Sequence, residues 1–493
     1  MSFNFKQYTN LTKVVIPRNV RLITNENSMF YGMTSLIEAN ILCDMDQMTH
    51  TYSQCYNLTG SLVCGNNVTS MIFTYDNCFN LTGSPVCGEN VINMYGTYAN
   101  CFNLTGSPVC GDNVSNMRGT YSNCYNLTGL PVCGNNVTSM IDTYQNCFNL
   151  TGSPVCGENV INMYGTYANC FNLTGSPVCG DNVSDMRYAY NNCSNLTGSP
   201  VCGENVTNMA YTYISCYNLI GSPVCGNNVV NMMGTYISCY NLTGNPVCGN
   251  NVTNMYSTYS NCYNLTGNPV CGDNVISMYH TYYNCPNLTG APVCGDKVNT
   301  MVSTYYNCLS LTGSPVCGPN VTNMTETYVF CDGLTGSPVC GDKVITMKGT
   351  YWMCSNLTGS PVCGNNVINM FQTYQGCSNL TGSPVCGEKV TDMYGTYIRC
   401  YNLAGNAYFY SNNIARASSC FTGRYNTSAL NIYVNNGTTS LTTLLTNNSN
   451  SMVGSNITWT DETATNGYYY NTQYNIYIYP VENVVNARIA NGE

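Results

Sequence analysis

From Cys55 to Cys400 this chain repeats one 23-residue unit with no inserted or deleted residue. Read from Cys78, the unit is CFNLTGSPVCGENVINMYGTYAN, and it begins again at Cys101. Tyr recurs every 23 residues from Tyr52 to Tyr397, Met from Met48 to Met393 and Leu from Leu58 to Leu403. A fixed period of this size means that each unit is one coil of a stack, because no single unit can bury its own apolar face. The 493 residues would otherwise suggest about three domains by length alone. The period replaces that expectation with a repeat solenoid of about sixteen coils.

The columns divide by role. Cys55, Cys64, Cys78, Cys87, Tyr52, Tyr75, Met71 and Leu58 each open or continue a column that never varies, so they read as inward-facing ladders. Pro recurs from Pro85 to Pro384, with Leu62 as the first member of that column. One very short strand per coil is expected at Pro-Val-Cys, imperfectly bonded because Pro has no N–H to give. The segment Val-x-x-Met-x-x-x-Tyr-x-x-Cys, with apolar spacings of 3, 4 and 3, predicts a short helical or 3₁₀ turn. Gly recurs from Gly60 and again from Gly65, where the chain must turn. The Asn before each Leu (Asn57, Asn80, Asn103) and before each Val (Asn67, Asn90, Asn113) are expected to stack as amide ladders. Asn57-Leu58-Thr59 also spells a glycosylation acceptor.

Three parts follow from these boundaries. Residues 1–47 form an N-terminal cap, with a strand in Leu11–Val20 and Gly32 in the place of the first Cys, as a solenoid end requires. Residues 48–405 are the solenoid. Residues 406–493 read as a degenerate coil and a small β-rich cap or attachment region. Its signals are a strand at Leu430–Val434 with a turn at Asn435-Asn436-Gly437, a hairpin at Asn466-Gly467 and a strand at Asn475–Tyr479.

Composition excludes several classes. Net charge is −9 and only 8% of residues are charged, so there is no basic footprint for nucleic acid. No apolar run is long enough for a membrane span. No secretory signal is visible at the start. The 33 Cys fall almost entirely into two columns, which read as reduced thiol ladders made in a reducing cytoplasm, with disulfides between columns as the alternative. His50 and His280 are the only His, and neither faces a metal-type Cys pair. A row of acids (Glu89, Asp112, Glu158, Asp181, Glu204, Asp273, Asp296, Asp342 and Glu388) is interrupted by Asn66, Asn135, Asn227, Asn250 and Pro319. It reads as a solvated turn rather than a calcium site. Lys297, Lys343 and Lys389 follow three of these acids and read as charge compensation. No cofactor, metal or catalytic constellation is expected, and the chain is read as no enzyme.

Only the variable columns are free to specify a partner. After Met stand Tyr95, Tyr164, Tyr256, Tyr279, Phe371 and Tyr394, and Trp352 follows a column Tyr. After the first Cys stand Tyr56, Phe79, Phe102, Tyr125, Phe148 and Phe171. Rows of exposed rings can stack on sugars or pack on another chain. The plainer reading is that they half-bury against the next coil.

Asn251-Val252-Thr253-Asn254-Met255, then Tyr259, Cys262 and Leu265, resembles the N-V-T-N-M…F-x-x-C-x-x-L unit of BspA-like leucine-rich repeats. Leu11–Val20 is similar to the L-T-x-I-x-I-P-x-x-V form of the same superfamily. The resemblance spans roughly residues 10–405. It departs at Leu-Thr-Gly-Ser-Pro-Val-Cys-Gly, which is shorter and carries Pro and Cys where Leu or Ile is usual. It implies a leucine-rich-repeat-like solenoid with a surface or adhesive role in bacteria, some protists and bacteriophages, and it carries over no catalytic residue. The expected setting is a bacteriophage tail fibre or other virion-surface component. A bacterial or protist cell-surface adhesin and an extracellular filament subunit are the alternatives. Partners would be a host surface glycan or protein, other virion proteins, or further copies of the chain. Residues 77–115 and 146–184 are identical over 39 positions, three repeats apart, so the array grows by block duplication.

Overall fold

The computed structural model describes residues 5, 7–18, 28–41, 43, 45–59, 62, 64–446, 451–454 and 458–492. Asn19, Val20, Asn27 and Gly60 lie outside them. The chain divides into two units, Met1–Asn251 and Val252–Glu493, each a stack of coils.

In the first unit, each coil sends the same side chains inward. Tyr98, Cys101, Leu104, Val91 and Met94 of one coil are all 0% exposed, as are their equivalents in the next. The buried Tyr rings stack face to face from Tyr52 to Tyr236, with centroids 5.1–5.6 Å apart. Phe5 and Phe30 extend that column at the N-terminal end. The second unit repeats the arrangement from Tyr259 to Tyr397, and Phe421 closes the ring column. Each unit is therefore a repeat solenoid with its Leu column buried.

Most backbone pairing between coils lies in the Met–Cys stretch, with further bonds after Val (Ile92 N–H to Thr69 O, 2.8 Å) and after Leu (Thr105 N–H to Gly83 O, 3.1 Å). The Met94, Gly96, Tyr98 and Asn100 N–H groups donate to Asn116, Arg118, Thr120 and Ser122 of the next coil at 2.8–3.0 Å. The alternate donors of Thr97, Ala99 and Cys101 bond locally to Met94, Gly96 and Tyr98, three residues back. The expected turn is present as these local bonds, but no helix forms. Within this stretch two residues per coil sit in the left-handed region, Gly96 at φ 60° and Asn100 at φ 62°, and they turn every second N–H along the stack. Parallel bridges join single residues just before Met, from Gln47 to Asn231 in the first unit and from Asn254 to Asp392 in the second.

The strand expected at Pro-Val-Cys is absent from the repeats, and the coil's one-residue strand is this bridge instead. The reason is internal. Tyr98 Oη donates to the Val86 carbonyl at 2.7 Å and accepts the Val86 N–H at 3.0 Å. The same pair recurs from Tyr121–Val109 to Tyr397–Val385. With Pro supplying no donor and Tyr Oη holding both groups of Val, neither residue has an N–H left to give to a neighbouring coil.

At the ends, longer segments do form strands. β1 (Lys13–Ile16) pairs in parallel with β2 (Glu38–Ile41). In the second unit, Cys386 bridges Phe409, and β3 (Gly405–Phe409), β4 (Leu430–Asn435) and β7 (Ile476–Val481) run parallel. β5 (Thr460–Asp461) and β6 (Tyr469–Asn471) join antiparallel beside β7, with Gly467 at φ 75° in their loop. Short helices α1 (Thr439–Leu444) and α2 (Val484–Ala490) accompany this sheet. Among the described residues no helix is long and apolar enough to cross a membrane.

Gly32 does not take the Cys place. Met33, 3% exposed, donates its N–H to Phe30 O as Cys55 does to Tyr52 O, while Gly32 takes a left-handed position at φ 73°. In the last coil Arg424, 1% exposed, donates its N–H to Phe421 O in the same way. Its guanidinium is met by the carbonyls of Leu403 at 2.8 Å, Tyr474 and Ser428. Burial lowers its pKa to about 10.

Candidate functional site

The two thiol columns differ. Cys55 and Cys78 are fully buried, and Cys78 Sγ donates to Tyr52 O at 3.1 Å. Cys64 and Cys87 are half-buried on the coil's other side. None of the 33 Cys is in a disulfide. Burial pushes Cys55 up to about 12 and Cys64 up to about 11, so both columns are protonated at neutral pH. Cys64 Sγ fills the space where Gly88 would carry a Cβ, at 2.9 Å, which is why Gly follows the second Cys in every coil.

A buried Thr column went unread in the sequence. Thr97 Oγ1 donates to Met71 O of the preceding coil at 2.8 Å and also lies 2.8 Å from Met94 O. It precedes Tyr in every coil from Thr51 to Thr396 except at Ala189. A third Asn column, before Cys, was missed as well. Asn123 Nδ2 donates to Asn100 Oδ1 at 2.6 Å, and Asn146 and Asn169 continue the ladder at the same distance. Asn tolerates the left-handed backbone there, and its presence at nine of sixteen coils was the available signal. Asn80 bonds to Asn57 Oδ1 at 3.0 Å as expected. The Asn before Val behaves differently: Asn113 Nδ2 reaches the backbone oxygen of Glu89 at 3.0 Å, not another side chain. Lys297, Lys343 and Lys389 bond to the amide oxygens of Asn274, Asn320 and Asn366 at 2.5–2.6 Å rather than to the acids beside them.

The rings after Met are all half-buried. In the first unit Tyr95 lies 4.6 Å from Phe73, with the Arg118 guanidinium 5.5 Å from its ring. Tyr164 stands apart with Arg187 at 5.1 Å and Tyr188 at 5.7 Å. In the second unit Tyr256 and Tyr279 stack at 4.8 Å. The contact chain continues through His280, Tyr283, Tyr306 and Phe330 to Trp352. Phe371 and Tyr394 stack at 5.1 Å, with Arg416 4.3 Å from the Tyr394 ring. The structure thus brings Tyr256, Tyr279 and Trp352 together and leaves Tyr95, Tyr164 and the Phe371–Tyr394 pair in separate clusters. Burial lowers the His280 pKa, while Glu326 opposes the shift.

The rings after Cys make a regular surface row, half-buried along its middle and exposed at both ends. Tyr56, Phe79, Phe102, Tyr125, Phe148 and Phe171 stack at 4.8–5.2 Å with planes within 18° of parallel. Tyr56 is 36% and Phe171 40% exposed. Their faces are taken by one another, so solvent meets ring edges. A face-on sugar stack has no face to use along the row, whereas an apolar protein surface can lie against the edges. Among the described residues no group of three His, Cys, Asp or Glu is placed to hold a metal.

No protein-family model matches the chain, and no curated protein matches it. Among solved structures, the chain is similar to a leucine-rich repeat protein from Bacteroides ovatus, at 11% identity over 86% of this chain and 87% of that one, with a TM-score of 0.26. YopM from Yersinia enterocolitica matches at 11% identity over 81% and 75%, with a TM-score of 0.35. A leucine rich cell surface protein from Faecalibacterium prausnitzii matches at 13% identity over 71% and 86%, with a TM-score of 0.33. The repeat class of the fold rests on the coil geometry above, and these scores add no argument to it.

Proposed function

We propose that the chain is a structural and adhesive protein of an exposed surface, and that the surface is a virion's: a bacteriophage tail fibre or another component that touches the host. The observation that carries adhesion is the six-ring row from Tyr56 to Phe171, an apolar strip in register on successive coils. A strip of that kind fits a macromolecular partner better than a small ligand. The virion setting is supported by the thiols. Thirty-three Cys outside any disulfide, 19 of them buried, suit folding in a reducing compartment, followed by release when the host cell lyses. A cell-surface adhesin or an extracellular filament subunit would use the same strip. We assign no catalysis, because burial holds both thiol columns protonated, the opposite of what a nucleophile needs.

The test is attachment of the purified protein to a panel of host cells and immobilised glycans, beside the Phe102→Ser/Tyr125→Ser variant. Ser already stands in this column at Ser194, Ser355 and Ser378, so the variant keeps the coil. Attachment by the parent and its loss in the variant is the expected result. Binding to no cell and no glycan would remove adhesion and leave a scaffold or filament. Undiminished binding by the variant would remove the strip.

A further inference from the structure

Three coils of the second unit seat a primary ammonium on an Asn amide, and the first unit presents the same amides without one. Lys343 and Lys389 stand in the column that Asn holds elsewhere. Their Nζ atoms donate to Oδ1 of Asn320 at 2.5 Å and of Asn366 at 2.6 Å. Each of those amides is fixed from behind, Asn320 Nδ2 to Asp296 O at 2.8 Å and Asn366 Nδ2 to Asp342 O at 2.9 Å. The pose leaves Oδ1 outward for a donor.

In the first unit, Asn90, Asn113 and Asn136 are held the same way, by Asn66 O, Glu89 O and Asp112 O at 2.8–3.0 Å. Their column carries no Lys there. These amides line a groove of about 630 Å³ with Thr69, Ile92 and Ser115. Thr69 and Ser115 give their hydroxyl hydrogens to the backbone oxygens of Asp46 and Ile92. The groove therefore offers acceptors in a row and few donors. Ile92, 50% exposed, supplies an apolar floor. Exposed Glu89 and Asp112 each stand one residue before a groove Asn, in a chain of net charge −9.

We infer that this groove binds a linear polyamine, with ammonium groups on Oδ1 of successive Asn, as the Lys side chains sit on Asn320 and Asn366, and methylenes over Ile92. Charge-assisted bonds of this kind are the stronger class.

Titration calorimetry of the full chain with spermidine at low ionic strength tests it. Saturable binding that weakens as salt rises is expected. Asn113→Lys places an internal ammonium on Asn90, as Lys343 does on Asn320, and should weaken spermidine binding about tenfold, the worth of one charged hydrogen bond. Thr105→Lys, the same charge change at an exposed position outside the groove, should leave binding nearly unchanged. An unchanged urea midpoint for both variants shows that the fold is intact. Absence of spermidine binding, or equal weakening by both variants, overturns the inference.

Discussion

Replacing Tyr121 with Phe removes one oxygen and isolates the interaction that takes the place of a β-strand. The Tyr121 ring is 0% exposed and lies 5.5 Å from Tyr98 and 5.6 Å from Tyr144. Phe30 and Phe421 show that the column accepts a ring without a hydroxyl. What is lost is the pair of bonds to Val109, Oη to the carbonyl at 2.7 Å and N–H to Oη at 2.9 Å. Val109 is half-buried, so water replaces them only in part. Two bonds at the usual net worth cost about 2 kcal/mol. In a stack whose coils contact only their neighbours, that loss is felt locally. Native-state amide exchange should show Val109 exchanging about thirtyfold faster, by conversion of that energy. Val132, held by Tyr144 in the next coil at 3.0 Å, should keep its protection. Equal change at Val109 and Val132, or none at Val109, would refute the argument that Tyr Oη pins its own coil.

Three further outcomes follow from the same geometry. Ala189→Thr restores the column hydroxyl at the one coil that lacks it, where the equivalent Thr212 reaches Met186 O at 2.9 Å. It should raise stability by about 1 kcal/mol in urea denaturation. Arg424→Ala strips a buried donor from the Leu403, Tyr474 and Ser428 carbonyls. It should cost more than about 3 kcal/mol, with β4 and β7 amides losing protection before those of the coils. Alkaline pH should unfold the chain, because burial raises Cys55 to about 12 and Tyr98 well above the ordinary value of 10. The unfolded chain then loses those protons first, so stability is full below about pH 8.5 and falls as pH rises through the Cys and Tyr range. Urea midpoints measured from pH 7 to pH 11 would show it, and a flat profile would contradict it.

The inward set was legible because identical residues at a fixed period can only face identical surroundings. Tyr52, Met71, Cys55 and Leu58 needed no more than counting. Half of the Pro-Val-Cys reading was legible too, since Pro marks a missing donor. Its other half depended on a hydroxyl twelve residues away, and Tyr98 reads as an apolar column member until its Oη is placed. Thr97 was missed for a related reason: a polar column next to an apolar one looks like the solvated side, yet its hydroxyl is spent on two Met carbonyls inside the stack. Gly32 misled because the first coil is one residue shorter than the rest, and a strict 23-residue ruler puts it where Met33 belongs. On the outside, the sequence identified the ring columns but not their faces. Whether Phe102 offers a face or an edge depends on Phe79 and Tyr125, 4.9 and 4.8 Å away.

The same geometry explains how such a chain can change length. A coil in the array asks its two neighbours for six backbone acceptors, a Met carbonyl for Thr, a Tyr carbonyl for Cys and a ring for Tyr, and the coils along the array supply them. Asn77 donates to Ala99 O at 2.8 Å, and its duplicated counterpart Asn146 donates to Ala168 O at 2.7 Å. A three-coil block therefore inserts without creating a new kind of interface. The Pro-Val-Cys segment helps, because its polar groups close within the coil and demand no strand register from the next. Only the ends, where β1 with β2 and β3 with β4 pair by true register, resist such editing. The inward columns fix the coil, and the residues after Cys and after Met vary from coil to coil while the stack stays the same.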